Sequence, residues 1–221
     1  MSEEKPLNFV LIGRSGSGKG TQAELLMKHF GNLVPIPIGG LFRELSAIDT
    51  DVGKRVRKTV QEGKLPYDDL AAMLWMHYIS FKIKEDQGII ADGLPRRLSE
   101  AETLDQFLEY LERKDNTRVL LIDISRQEAF DRLTKRRICE KCGNLIPWVG
   151  KYKEMKECDK CGGKLITRHD DHPEVIKNRL DYYDSRVTKV VDYYKEQGKL
   201  IRINGEQPID EVFQDILKAI Q

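Results

Sequence analysis

Apolar residues along the 221-residue chain recur in two patterns that take turns. Short, nearly continuous apolar runs predict strands at 9–13, 33–38, 88–91, 118–124 and 199–203, and such runs suit strands covered on both faces. The second run carries Pro35 and Pro37, a poor composition for a central strand. Between the runs, apolar positions fall at helical spacing. The first helix is predicted over 21–30, with Ala23, Leu26, Met27 and Phe30 on one side and Gly31 as its stop. Further helices are expected at 41–47, opened by Gly39-Gly40, and at 51–61, 68–84, 99–113, 126–137, 173–197 and 210–220. Ser99 reads as a cap and Pro173 as a first-turn proline. Aromatic residues at 75–81 and 182–194 keep helical spacing and read as core.

Alternation of this kind predicts an α/β fold: a five-stranded parallel sheet, doubly wound, with ligands beyond the C-terminal strand ends. Two stretches do not fit a sheet layer. Residues 39–67 hold a pair of small helices, and 139–167 hold all four cysteines without a clear period. Both read as small mobile inserts on a core of 1–38, 68–138 and 168–221.

Composition narrows the setting. A hydrophobic content of 40% and a charged content of 33% suit one well-buried core, and the formal net charge of +1 gives no bulk attraction for nucleic acid or an acidic membrane. No apolar run reaches the ~18 residues of a membrane helix. The N-terminus Met-Ser-Glu-Glu-Lys-Pro, acidic and without an apolar run, is not expected to act as a signal peptide. A cytoplasmic address is expected, where four cysteines hold a metal more readily than disulfides.

Candidate chemistry begins at 8–21. The strand run leads into Gly13, Gly16, Ser17 and Gly18, then Lys19, Gly20 and Thr21. Glycines let several backbone N–H groups turn inward around an anion, and the helix that follows adds its positive dipole end. This is a phosphate-binding loop up to its lysine; the hydroxyl comes one place late, at Thr21. Asp92 ends another strand and is placed to hold Mg2+ or its waters. Arg132, Arg136 and Arg137 are expected on one helix, the first two sharing a face. Cys139-x-x-Cys142 and Cys158-x-x-Cys161 are two knuckles spaced for tetrahedral, structural Zn2+, with iron as an alternative.

Gly18-Lys19-Gly20-Thr21-Gln22 resembles the nucleoside monophosphate kinases, adenylate kinase in particular, and further motifs extend the resemblance over nearly the whole chain. Asp92-Gly93-Leu94-Pro95-Arg96 resembles the family signature Asp-Gly-aromatic-Pro-Arg, with Leu94 in the aromatic place. Ile38-Gly39-Gly40-Leu41-Phe42-Arg43 resembles Thr-Gly-Asp-x-x-Arg, with Ile38 and Gly40 departing, and Gly63-Lys64-Leu65 matches. Arg168-His169-Asp170-Asp171 with Arg179-Leu180 matches Arg-x-Asp-Asp…Arg-Leu, and the cysteine segment is similar to the family's metal-bearing lid. Leu145-Ile146-Pro147-Trp148 departs there from the usual Tyr-His.

The resemblance implies reversible transfer of the γ-phosphoryl of Mg-ATP to a nucleoside monophosphate, AMP first, by a monomer. It implies that Gly16, Ser17, Gly18, Lys19, Gly20, Thr21, Arg132 and Arg136 bind ATP. The acceptor would meet Ile38, Gly39, Arg43, Leu65, Gly93, Arg96 and Glu100. Arg168 and Arg179 would close on the transferring group, with the 39–67 insert as acceptor site and 139–167 as zinc lid. Gly39-Gly40 and Asp170-Asp171 are candidate hinges. Glu100 stands where the family has Gln. An ionised carboxylate accepts but cannot donate to adenine N1, whereas guanine offers two donors. GMP is therefore an alternative acceptor, unless Glu100 points to solvent. A non-catalytic nucleotide- or nucleic-acid-binding protein is the remaining class.

Overall fold

A computed structural model describes residues 5–61, 66–167 and 171–221. The core is a five-stranded, wholly parallel sheet built from β1 (Asn8–Ile12), β2 (Leu33–Pro35), β3 (Gly88–Asp92), β4 (Thr117–Asp123) and β8 (Leu200–Asn204), in the order β2-β3-β1-β4-β8. The connections cross over through α1 (Lys19–Phe30), α2 (Ile38–Ala47), α3 (Asp51–Gln61), α4 (Asp68–Lys82), α5 (Leu98–Tyr110) and α6 (Arg126–Lys135). The chain ends in α7 (Pro173–Tyr182), α8 (Thr188–Glu196) and α9 (Ile209–Ala219).

Strand periodicity sorts the core into two layers. Val10, Ile12, Ile89, Ala91, Val119 and Leu121 meet Trp75, Leu104, Val190 and Tyr194 on one face. Phe9, Leu11, Ile90, Leu120 and Ile122 meet Ala23, Leu26, Val212 and Ile216 on the other. The proline-bearing β2 keeps three residues and lies at the sheet edge, where a missing N–H costs no ladder bond. β1 lies between β3 and β4, so the chain leaves it on opposite sides and a crevice opens above its C-terminal end.

Several boundaries differ from the expected ones. The helix expected at 126–137 stops at Lys135. Arg136 is already extended (φ −64°, ψ 143°), and Arg137 opens β5 (Arg137–Cys139). Arg132, Arg136 and Arg137 therefore do not share a helix. The 139–167 segment is a small antiparallel sheet, β6 (Leu145–Ile146)-β5-β7 (Leu165–Thr167). Helix α2 begins at Ile38, so Gly39 and Gly40 lie inside its first turn rather than before it. α5 begins at Leu98, which puts Ser99 inside the helix rather than at its cap. The long helix expected at 173–197 is interrupted by a π-helical turn, Tyr183–Val187. Trp75, Tyr183 and Tyr194 are buried as expected, but Phe81 lies on the surface against the His77 ring. Among the described residues, no helix is long and apolar enough to cross a membrane.

Candidate active site

The loop from β1 to α1 has φ of 86° at Gly16 and 95° at Gly18, a conformation that side chains resist. The Lys19 ammonium turns back into this loop and donates to the carbonyls of Gly13 and Arg14, both at 2.8 Å. Loss of water around it lowers its pKa to about 8; Asp92 opposes the shift, while Arg96, Arg179 and Arg136 reinforce it. Those charges act on Lys19 because they converge on it. Gly20 lies close beside Asp92. A Cβ there would stand 3.3 Å from Asp92 Oδ2, a tight contact, so a side chain at this position would press on that carboxylate.

A cavity of about 380 Å³ opens over the loop, within the range of small-molecule sites. Ser15 to Gln22 form its floor, and Asp92, Gly93, Arg96, Arg132, Arg136 and Arg179 stand around it. Arg96 folds so that Nε donates to the Gly93 carbonyl at 2.6 Å. Arg136 grips Asp171 with two bonds, at 2.7 and 2.6 Å, and Arg179 reaches the same carboxylate at 3.2 Å. The Asp171 side chain is fully buried. The Asp170-Asp171 junction is expected as a hinge; Asp171 is in addition the carboxylate that gathers two arginines from different elements. Arg132 is buried and held by Glu128 at 2.6 Å and by the Gly205 carbonyl at 2.9 Å, so its guanidinium is fixed as one wall.

The acceptor-side residues are less gathered. Ile38 packs, half-buried, against the core. Arg43 is exposed on α2, its guanidinium beside Gly39. Neither they nor Glu100 line the cavity. Glu100 is not aimed at solvent: it is buried at 7% exposure, and its Oε2 accepts from the Arg96 amide at 2.7 Å. The bond ties the stretch before α5 rather than capping the helix, whose first turn has no side-chain cap. Burial pushes its carboxyl pKa up, and the amide of Arg96 only partly offsets this. Among the described residues the buried indole N–H of Trp75 has no hydrogen-bond partner of good geometry, but it lies close enough to Glu100 to favour the carboxylate slightly. Leu65, Arg168, His169 and Asp170 lie outside the described residues.

The four cysteines do come together. Their Sγ atoms lie within 4.8 Å of one another, with Cys139–Cys161 at 3.4 Å and Cys142–Cys158 at 3.6 Å. Tetrahedral ligation at a Zn–S distance of ~2.3 Å requires sulfurs about 3.8 Å apart. Gly163 is compressed against the cluster; a Cβ there would stand 2.7 Å from Cys139 Sγ. The Cys142 amide turned toward Cys139 lowers that thiol to about 6, while the neighbouring sulfurs push Cys161 up to about 12. Four thiols this close cannot all ionise unless a cation sits among them. The donor set fits Zn2+.

Several lining residues were not among the expected site residues, although Leu145, Pro147 and Trp148 belong to the stretch that departs from the family's Tyr-His. Asn144, Leu145, Pro147, Trp148 and Val149 reach the cavity from the small sheet, and Gly205, Gln207 and Ile209 from the loop after β8. That loop could have been found from the rule that ligands sit beyond C-terminal strand ends. Trp148 lies near Lys135 and Arg137, whose charges stand 5.9 and 5.6 Å from the centre of its ring.

Comparison with known proteins agrees with this arrangement. The adenylate kinase family model matches residues 11–199. The adenylate kinase of Caldanaerobacter subterraneus subsp. tengcongensis is 38% identical over 218 residues, covering 97% of this chain and 96% of that protein. That of Methanocella arvoryzae is 38% identical over 218 residues, covering 97% and 99%. That of Staphylococcus epidermidis is 36% identical over 221 residues, again 97% and 99%. The non-catalytic reading falls away with these matches. A phosphate loop, its lysine, a strand-end aspartate and converging arginines on one crevice, matched along nearly the full chain, make this protein a member of the adenylate kinase family, the nucleoside monophosphate kinases.

Proposed function

We propose that the protein transfers the γ-phosphoryl group of Mg-ATP reversibly to AMP, giving two ADP. The observation that carries this reading is the convergence of Arg96, Arg136, Arg179 and Asp92 on Lys19 within one cavity. Phosphoryl transfer needs little covalent help. Its loose transition state spreads negative charge over equatorial oxygens, so catalysis is positioning and neutralisation. In this reading Lys19 exchanges its loop carbonyls for donor phosphates, and the amides of Gly16 to Thr21 cradle them. Arg136 and Arg179, now on Asp171, turn to the transferring group together with Arg168, while Arg43 and Arg96 hold the acceptor phosphate. Mg2+ arrives with ATP and would be held through Asp92; when bound it neutralises charge on the phosphates.

The donor base would enter between Arg132 and the surface of Leu145, Pro147, Trp148 and Val149. The segments 39–67 and 139–167 would close over the two nucleotides and keep water from the phosphoryl group. Zn2+ on the four cysteines would give the second segment its rigidity, and we place the protein in the cytoplasm as a monomer.

Glu100 bears on the acceptor. Its raised pKa favours the protonated carboxyl, which has an O–H to offer adenine N1; the ionised form suits GMP. AMP turnover should therefore fall, and GMP turnover rise, as pH increases through the Glu100 pKa. The test is an acceptor panel of AMP, GMP, CMP, UMP and dTMP with Mg-ATP, run at several pH values. AMP preference that survives Glu100→Gln at high pH supports the reading. GMP preference that Glu100→Gln reverses would give the reaction to the second acceptor.

A further inference from the structure

We propose that Arg14, inside the phosphate loop but pointing away from the cavity, is a positioning residue that sets the spacing between Lys19 and Arg179. The inference rests on the phosphoryl-transfer reading above. The Arg14 carbonyl is one of two that hold the Lys19 ammonium, so its backbone and the lysine move together. Its side chain is anchored outside the loop by four groups, of which Asp123 Oδ1, at 4.0 Å, is the weakest hold. One nitrogen donates at 3.3 Å to the carbonyl of Ile124, the residue just after β4. Another donates to Asp184 Oδ1 at 2.6 Å. The guanidinium carbon lies 4.4 Å from the centroid of the Tyr183 ring.

Tyr183 and Asp184 are consecutive residues in the π-helical turn that joins α7 to α8. A π turn inserts one residue into a helix and is found preferentially at functional sites. Here two successive side chains both meet one arginine. The same turn is gripped from a second side: Arg126, at the start of α6, binds Asp184 and also Asp181 at 2.5 Å.

Arg179 stands about one helical turn before Tyr183 on the same rod and holds Asp171, which in turn holds Arg136. A chain of contacts thus runs from Lys19 through Arg14 to the π turn, back along α7 to Arg179, and on to Arg136. In the phosphoryl-transfer reading the lysine and the two arginines would hold the phosphates between them, around the one cavity they share. Their separation is what a transferring phosphoryl group would sense, and a misplacement of ~1 Å can cost a hundredfold in rate. The pair itself is part-exposed, at 18% for Arg14 and 36% for Asp184, so it adds little to stability.

The test is a double-mutant cycle with Arg14→Ala and Asp184→Asn, measured as kcat, KM for both nucleotides and Tm. Each single variant is expected to lower kcat about tenfold, with KM for the acceptor changed less than about twofold and Tm lowered by about 3 °C or less. The double variant should be no slower than the worse single one. Unchanged kcat in both singles, or effects that multiply in the double, would overturn the inference. Asp184→Asn is nearly isosteric and keeps the question open to test should Arg14→Ala fold poorly. Wild-type turnover in the same assay separates failure of this inference from failure of the kinase reading.

Discussion

Lys19 and Asp171 carry the opposite ends of the site's electrostatics. Lys19 is a cation below its lowered pKa of about 8 and becomes neutral above it. Apparent affinity for ATP should therefore fall as pH rises through that value, a dependence that pH titration of nucleotide binding would measure. Lys19→Met should remove the dependence and lower kcat by about 10²–10³-fold, the scale of losing one charge-stabilising donor. Asp171 is the reverse case, a buried anion between Arg136 and Arg179. Asp171→Asn leaves two partly buried guanidinium groups without their shared counter-charge, and should destabilise the nucleotide-free protein by about 3 kcal/mol. Saturating ADP supplies phosphates in place of the carboxylate, so thermal melts with and without ADP should show the deficit shrinking. A deficit that ADP leaves intact would mean that Asp171 is purely structural.

The sheet and its helices were legible because each buries apolar residues at its own period. The small sheet of 137–167 was not. Its strands are two and three residues long, too short for any period to register, and they are stapled by four thiols rather than by a core. The end of α6 was illegible for another reason: Lys135-Arg136-Arg137 contains no breaker, and tertiary contact turns Arg136 out of the helix toward Asp171. Asp171 and Arg14 show the limit for single residues. Each takes its role from partners that only the fold brings near, whereas the phosphate-loop glycines, Lys19 and the cysteine pairs carry theirs in local spacing. The element-scale prediction concerns the metal. A segment of ~29 residues cannot bury a core of its own, so removal of Zn2+ by a chelator should unfold it while leaving the main sheet intact. Trp148 sits in that segment and Trp75 at full burial in the core. Chelation should red-shift the emission of Trp148 and leave that of Trp75 unchanged, with Trp148→Phe assigning the signals. Unaltered emission after verified metal loss would show that the segment folds without it.

At the scale of the whole molecule, the parallel sheet decides where chemistry is possible. Because β1 is flanked by β3 and β4, the phosphate loop, Asp92 and the turn after β4 all emerge on one edge. The loop after β8 and the small cysteine-bearing sheet complete the cavity from the same side. The arrangement gathers the positive charge of Lys19, Arg96, Arg132, Arg136 and Arg179 around one cavity, and phosphoryl transfer requires no nucleophile of the protein's own. Transfer between nucleotides follows from that balance, whereas hydrolysis would waste the donor. The most direct test follows the nucleotides by phosphorus NMR in one tube. With Mg-ATP and AMP, each ATP consumed should yield two ADP, the same equilibrium should be reached from ADP alone, and ATP without an acceptor should persist. Release of inorganic phosphate from ATP alone, or no change with AMP under conditions where the protein is folded and metal-loaded, would contradict the account.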